Sequence, residues 1–274
     1  MHENPVILEQ QTTVATEYLK NLGWQINQAK SSTIPSTTIE YLGITWNTSQ
    51  NTKGLSIPKI QQLQKFIQDL WRKAQWSWYD AKLILGRLNF ASFTVPLGRL
   101  HCRQLQKSAR LLSQTRPHRK HYIPDAAPEQ LKWWIENLHK RSPIHYPGPS
   151  IFVTTDAAEG GWGAIANGRH LWGKWTHCQR KWHSNLKELW AVHEVLQSLG
   201  AEIRHWTIMV PSDNRTTVAY INKHGGTRSA RLLKATTQIL ELCDLMDCHL
   251  IARYIPGIYN GIADRLSREK ALPE

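Results

Sequence analysis

The order of strand-like and helix-like segments after residue 150 limits the possible folds of this chain more than any other feature. Apolar alternation and short apolar runs predict five strands, at 151–155, 162–166, 170–175, 205–210 and 249–254. Helical spacing of apolar residues predicts helices at 185–199, 216–222, 229–246 and 262–269. Three consecutive strands, followed by strands that alternate with helices, predict an α/β fold with a mixed five-stranded sheet flanked by helices.

A segment rich in proline and glycine, SPIHYPGP at 142–149, precedes this region and predicts a domain boundary. The part before it is mainly helical, with an amphipathic pattern after Pro58 and further helical patterns at 79–93, 97–112 and 129–139. The first residues predict a helix at 6–22, one edge strand at 39–46 and a turn-rich break at 51–54. We therefore predict three regions, at 1–55, 56–142 and 149–274.

The chain is strongly basic, with 274 residues, a net charge of +13 and a pI near 9.7. This charge favours a polyanionic partner, which is nucleic acid, an acidic protein or an anionic membrane surface. The membrane option is disfavoured because no apolar stretch approaches the roughly 18 residues of a spanning helix. The first residues resemble no signal peptide. We expect an intracellular protein, cytoplasmic or nuclear. Its four irregularly spaced cysteines fit reduced thiols, and none belongs to a complete zinc motif.

The positive charge is concentrated in the helical region, where no acidic residue lies between Asp80 and Asp125. A solvated basic face is the usual explanation for scattered lysine and arginine. Because no acid compensates this block, contact with phosphates is favoured instead. The predicted nucleic-acid-binding residues here are Arg99, Arg103, Lys107 and Arg110.

Four acidic residues stand at positions where separate elements begin or end. Asp156 ends the first strand of the second half, Glu188 lies in its first helix, Asp213 follows its fourth strand, and Asp264 lies in its last helix. Each alone fits a turn, a helix cap or a solvated surface. Together they can converge, and a cluster of carboxylates suits a pair of Mg²⁺ ions, with Mn²⁺ as a substitute. Such a pair supports in-line hydrolysis of a phosphodiester.

Four motifs surround these acids: TDAAEGGWGA at 155–164, NLKEL at 185–189, SDNRTTVAYIN at 212–222 and YIPGIYNGIADRLSR at 254–268. They resemble the ribonuclease H domain of retroelement reverse transcriptases. The last motif is similar to the gypsy-like and DIRS-type branches, and YINKHGGTRS at 220–229 to the DIRS type in particular. The resemblance implies a ribonuclease H-like sheet and an endoribonuclease that cleaves the RNA strand of RNA–DNA hybrids. It also implies that Asp156, Glu188, Asp213 and Asp264 are the catalytic ligands of two metal ions.

The same resemblance suggests which other residues contact the substrate. Polar residues beside the acids match positions that contact the hybrid backbone and its 2′-hydroxyls, although helix capping explains several of them equally well. The predicted nucleic-acid-binding residues of this half are Ser184, Asn185, Asn214, Arg215, His224 and Arg228. A histidine that many cellular relatives carry before the last aspartate is replaced here by Ile258 and Tyr259. Any auxiliary step by that histidine is therefore not expected.

The resemblance extends upstream. GWQINQAKS at 23–31 and YLGI at 41–44 look like the end of a polymerase palm, while LGRLNFAS at 85–92 and VPLGRLH at 95–101 look like the thumb and connection. The chain contains no Asp-Asp dipeptide, the pair that the polymerase centre needs, so polymerase activity is not expected from this chain alone. The remainder of a reverse transcriptase or another protein is a further expected partner.

Two other hypotheses remain open at the level of sequence. The first is a domesticated retroelement fragment that binds nucleic acid or scaffolds proteins without catalysis. The four uncompensated acids argue against it, because a scaffold needs no such cluster. The second is a nuclease of the same fold that acts on junctions or integrating DNA, which the reverse transcriptase-like region upstream disfavours.

Overall fold

The computed structural model describes residues 3–124 and 126–268. The helices are α1 Pro5–Asn21, α2 Ile57–Lys73, α3 Trp78–Ala91, α4 Arg103–Ala109, α5 Ala126–Asn137, α6 His177–Arg180, α7 Ser184–Leu199, α8 Arg215–Asn222, α9 Ala230–Leu245 and α10 Gly261–Arg268. The strands are β1 Thr38–Tyr41, β2 Ile44–Asn47, β3 Thr52–Leu55, β4 Gln75–Trp76, β5 His121–Tyr122, β6 Ser142–Pro143, β7 Ile151–Ala157, β8 Gly161–Ala166, β9 Arg169–Lys174, β10 Thr207–Ser212 and β11 His249–Tyr254.

The second half forms a five-stranded mixed sheet with the strand order β11-β10-β7-β8-β9. Strands β7, β10 and β11 are parallel, while β7, β8 and β9 form an antiparallel meander. Helices connect the parallel strands, as such connections require. The predicted α/β class, with a five-stranded mixed sheet, flanking helices and a preceding helical region, is confirmed.

The two faces of this sheet are covered by different helices. Side chains alternate along a strand, so Val153 of β7 and Ala164 of β8 share the face that packs against α7 and α9. Asp156 and its cross-strand partner Gly163 point to the opposite face, where α10 crosses β7 and β8. The sheet therefore separates a large apolar core from a thinner layer that consists of one short helix.

The first half contains a second core, built by α2 to α5 around fully buried side chains such as Ile67, Leu88 and Trp134. A four-stranded sheet, β1-β2-β3-β6, lies beside it. Strand β6 comes from the proline-rich segment and pairs with β3. Within the residues that the structure describes, no helix has both the length and the apolar composition needed to cross a membrane.

Two predictions for the first half were wrong. The predicted single strand at 39–46 is a hairpin, because Leu42 and Gly43 take positive φ angles of 53° and 77° and reverse the chain. The predicted break at 51–54 is largely the strand β3, which pairs with β2. The turn lies just before β3, where Asn51 has a φ of 52°. At 39–46 the alternating pattern gave no sign of the turn, and at 51–54 local composition placed the turn a few residues too late.

Smaller differences concern the length of one predicted helix and several short elements that were not predicted. The predicted helix at 97–112 is a short 3₁₀ turn followed by α4, so the chain is helical over a shorter length. Strands β4, β5 and β6 and the four-residue helix α6 were not predicted. The predicted last helix ends at residue 269, which lies outside the described residues, as do Asp125 and residues 270–274.

The helical region and the five-stranded sheet meet at the C-terminal end of α8. The guanidinium of Arg103 donates hydrogen bonds to the carbonyls of Lys223 and His224, which follow α8 and lack partners within the helix. Leu100 packs beside this contact against Leu233 of α9. A cation at this end of a helix also complements the helix dipole. Arg103 therefore joins the two halves of the molecule.

We expect Arg103→Ala to lower the free energy of unfolding by roughly 1.5–3 kcal/mol, since hydrogen bonds from a charged donor carry about this much. Arg99→Ala is the matched control, because Arg99 is exposed and has no ion pair among the described residues. Urea unfolding of the two variants measures the difference. Equal losses of stability would show that Arg103 does not join the two halves.

Candidate active site

Three of the four predicted acids meet at one edge of the five-stranded sheet. One carboxylate oxygen from each of Asp156, Glu188 and Asp213 lies within 4.8 Å of the other two. Asp156 lies near the end of β7, and Asp213 follows the end of the neighbouring parallel strand β10. The carboxyl ends of parallel strands share an edge, where ligands bind in open α/β sheets. Glu188, in the first turns of α7, reaches the same edge from the core side of the sheet.

Asp264, the fourth predicted acid, lies at the rim of this cluster. It belongs to the first turn of α10, and its negative charge raises the pKa of Asp156. Its carboxylate accepts hydrogen bonds from Arg268 at 2.6 Å and 2.8 Å, and its side chain is 42% exposed. The acids at 156, 188 and 213 thus form the cluster, while Asp264 lies beside them in an ion pair with Arg268.

Ser267 connects α10 to this cluster. Its hydroxyl lies 2.5 Å from Oδ2 of Asp156 and donates to it, although the two residues are 111 positions apart. The approach is possible because Gly163 has no side chain: a Cβ there would lie 2.6 Å from the carbonyl oxygen of Ala263 in α10. Sequence reasoning missed Ser267. Its position three residues after Asp264, one helical turn away, was the available signal.

Asn260 is a second residue that sequence reasoning missed. It is 1% exposed, and its amide donates to the carbonyl of Thr155 at 3.1 Å and to Oδ1 of Asp213 at 3.5 Å. Asn260 therefore holds the loop before α10 against β7 and against Asp213, which follows β10. The only signal was its place inside the motif at 254–268.

Burial and mutual repulsion dominate the electrostatics of the cluster. Glu188 is 8% exposed, and burial raises its pKa to about 8, with further increases from the charges of Asp156 and Asp213. Burial is also the main cause that raises the pKa of Asp156, although the hydrogen bond from Ser267 opposes it. Without a cation, Glu188 therefore holds a proton near neutral pH.

The donor set fits a hard divalent cation. All its ligand atoms are carboxylate oxygens, which Mg²⁺ and Mn²⁺ prefer over softer metals. Within the described part of the chain, Oε2 of Glu188 is buried without a hydrogen-bond partner. A buried polar atom without a partner is unfavourable, and a cation would satisfy it. Asp156, Glu188 and Asp213 are thus the residues that could hold a metal, with Asp264 available at the rim.

Polar residues predicted to contact nucleic acid surround the acids. Asn214 caps α8 through its side-chain oxygen, and its amide group donates to Oδ1 of Asn185 at 2.9 Å. Ser184 is exposed at the first residue of α7, whose cap is His183. The guanidinium of Arg215 lies 4.7 Å from the ring centre of Tyr254. The structure places these predicted contacts beside Asp213 and Glu188.

The other predicted nucleic-acid contacts lie farther from the acids. His224 follows the eight-residue helix α8, about 12 Å long, and lines a cavity between the two halves of the molecule. Its pKa is lowered to about 4 by burial and by the charges of Arg99 and Arg103, so it is neutral at physiological pH. Arg228, Arg99, Lys107 and Arg110 are exposed and have no ion pair among the described residues.

No protein-family model matches this chain, but comparison with curated proteins and with solved structures found similar chains. The enzymatic polyprotein of figwort mosaic virus (strain DxS) is 24% identical over 148 residues, which cover 49% of this chain and 21% of the polyprotein. This chain therefore spans about a fifth of that relative.

Two of the similar solved structures are an RNase H1 and a viral protease-reverse transcriptase. An RNase H1 isolated from compost by a metagenomic approach aligns with a TM-score of 0.36 and 20% identity, covering 43% of this chain and 93% of its own. The foamy viral protease-reverse transcriptase in complex with RNA/DNA hybrid aligns with a TM-score of 0.41 and 14% identity, covering all of this chain and 35% of its own. The chains similar to this one thus include a viral enzymatic polyprotein, an RNase H1 and a viral protease-reverse transcriptase.

Without divalent cations, we expect Glu188 to make the stability of the protein depend on pH. Its folded pKa of about 8 lies above the ordinary 4.5, so the folded state holds this proton more tightly than the unfolded state. The contribution of Glu188 to stability should therefore fall as the pH rises from 4.5 to about 8. Urea unfolding across this range compares the wild type with Glu188→Gln. Parallel pH profiles would contradict the assignment.

We expect Gly163→Ala to push α10 away from β8 and to lower stability by roughly 1–3 kcal/mol, as overpacking does. The displacement would also separate Ser267 from Asp156 and weaken binding of Mn²⁺. Gly160→Ala is the matched control, because a Cβ at Gly160 meets no atom within 4 Å. Thermal unfolding and Mn²⁺ titration measure the two effects. Wild-type behaviour of Gly163→Ala would show that α10 is not packed as described.

Proposed function

We propose that this chain is an endoribonuclease that hydrolyses the RNA strand of RNA–DNA hybrids with divalent cations, as part of a retroelement reverse transcriptase. The observation that supports this function is the approach of Asp156, Glu188 and Asp213 within 4.8 Å of one another, from three separate elements. Like charges repel, so a cluster of this kind is unfavourable unless a cation neutralises it. Clusters of carboxylates with raised pKa values are typical of functional sites.

The residues of the chain have distinct parts in this proposal. Asp156, Glu188 and Asp213 would hold two metal ions, with Asp264 completing the set at the rim. Bound there, the metal pair would activate a water molecule and neutralise the leaving oxygen of a phosphodiester. Ser267 positions Asp156 through its hydrogen bond, and Asn260 positions Asp213. Loss of such a supporting hydrogen bond typically lowers metal affinity or activity by about 10–100-fold.

A hybrid fits the surface around the cluster. Asn185 and Asn214 offer uncharged hydrogen-bonding groups beside the acids, as recognition of 2′-hydroxyls needs. Arg215 and the exposed basic residues of the helical region provide contacts with phosphates that do not depend on base sequence. In this proposal the helical region extends the surface that contacts the bound duplex. The remainder of a reverse transcriptase or another protein is a further partner.

A cleavage assay tests the proposal directly. We expect the wild type to cut the labelled RNA strand of a hybrid with Mg²⁺ or Mn²⁺ and not with EDTA. Asp156→Asn should reduce the rate by more than about 100-fold, since losing a ligand costs at least as much as losing its support. Asp247→Asn is the matched control. Asp247 is 83% exposed, lies outside the cluster and has a φ of 49°, which asparagine tolerates.

The assay also separates the proposal from its alternatives. Cleavage that survives both Asp156→Asn and Asp213→Asn would remove the proposed mechanism. Salt-sensitive binding of the hybrid by a folded wild type, without turnover, would instead support a nucleic-acid-binding module. Preferred cleavage of DNA junctions would support the other nuclease hypothesis.

A further inference from the structure

Helix α9 ends in a motif that brings two cysteines together, far from the acidic cluster. The amide of Cys248 donates to the carbonyl of Cys243 at 2.9 Å, and the amide of Asp247 donates to the carbonyl of Asp244 at 3.1 Å. Asp247 takes the left-handed conformation, with a φ of 49°. These three features define the Schellman motif, in which the first and last residues usually make an apolar contact. Here both of those residues are cysteines.

The backbone geometry of this thiol pair, Cys243 and Cys248, suits a disulfide. The hydrogen bond between their main chains holds the two residues side by side, as a disulfide requires, because it joins α-carbons only roughly 4.4–6.8 Å apart. Their side chains border the same cavity and share a hydrogen bond. Among the described residues both cysteines are free. Oxidation would therefore require little movement of the chain.

Access to the two thiols is unequal. Cys243 is 4% exposed and belongs to the apolar core, whereas Cys248 is half-buried at its edge. Both line a cavity of about 350 Å³ between the helical region and the five-stranded sheet. The stacked rings of Tyr146 and His249 line the same cavity. A small oxidant that enters the cavity would meet Cys248 first.

The acidity of the two thiols is also unequal. A side-chain hydrogen bond from Cys243 lowers the pKa of Cys248, although burial opposes this effect. The same hydrogen bond and burial raise the pKa of Cys243 well above its usual value. Thiolates rather than thiols react with oxidants, so Cys248 is the more reactive partner. Cys243 is then placed to complete the reaction.

We propose that Cys243 and Cys248 form a reversible oxidation site, in which peroxide converts the thiol pair to a disulfide. The Cys248 thiolate attacks one peroxide oxygen, the O–O bond breaks, and a sulfenic acid forms while the departing hydroxide takes a proton from the solvent and leaves as water. The sulfur of Cys243 then attacks the sulfur of Cys248, the S–S bond forms as the S–O bond breaks, and the hydroxyl leaves with the thiol proton of Cys243 as a second water. Peroxide is reduced and two thiols are oxidised. A dithiol reagent reverses the reaction by thiol–disulfide exchange.

This site is independent of the proposed nuclease function, and its test needs no nucleic acid. The test uses the full chain with Cys178→Ser, because Cys178 is exposed and would form disulfides between molecules. Peroxide is added, remaining thiols are alkylated under denaturing conditions, and tryptic peptides are weighed. Both cysteines fall in one tryptic peptide, 235–253. We expect this peptide to lose two hydrogen atoms and both alkylation sites, and to recover them after dithiothreitol.

Two further measurements make the outcome decisive. In Cys248→Ser, Cys243 should stay reduced, because it is buried and has no Cys248 sulfenic acid to attack. Cys102, buried with a pKa raised to about 11, should stay fully alkylated in every sample and is the internal control. A peptide 235–253 with two alkyl groups after peroxide treatment would overturn the proposal, as would equal oxidation of Cys102. If Cys248→Ser does not fold, the peptide mapping of the Cys178→Ser protein decides the outcome.

Discussion

The close approach of Asp156, Glu188 and Asp213 is the constraint on which the rest of this structure depends. Three acids within 4.8 Å repel one another, and two of them are 8% exposed, so their meeting cannot drive folding. The geometry is instead imposed by the apolar core, in which β7, β10 and α7 pack together. Burial of apolar surface, at roughly 25 cal/mol per Å², outweighs the electrostatic cost locally. The site is thus unfavourable in itself and is maintained by the fold around it.

Helix α10 shows how the sequence completes such a site from the far end of the chain. The helix packs on the sheet face opposite the core, and Gly163 lets its backbone approach closely. Ser267 can then reach Asp156, and Asp264 comes near enough to influence it. Arg268 neutralises Asp264 without entering the cluster. One short helix therefore supplies a hydrogen-bond donor, an acid and a counter-charge.

The sequence predicted the second half well, because its apolar periodicity and its turn residues indicate the same strands and helices over long stretches. The four acids could be identified because they lie near the ends of these elements. It failed at Leu42, where the alternating pattern continues through a turn that the left-handed residue creates. Ser267 and Asn260 were missed for another reason. Their partners lie 111 and 105 residues away, so their hydrogen bonds exist only after the helix docks on the sheet. Arg103 likewise resembles any basic surface residue until α8 ends against it.

Helix α8 links the acidic cluster to the helical region. Asp213 and the N-cap residue Asn214 precede the N-terminus of α8, where the helix dipole favours negative charge. Arg103 donates to the carbonyls at the C-terminal end of α8, where the dipole favours positive charge. Both ends of this short helix thus match the dipole. Because α8 is about 12 Å long and is held by Arg103 at its C-terminal end, it sets the distance between the acids and the start of the basic region. If the chain cuts hybrids as proposed, this fixed spacing sets which phosphate reaches the acids when the duplex rests on the helical region.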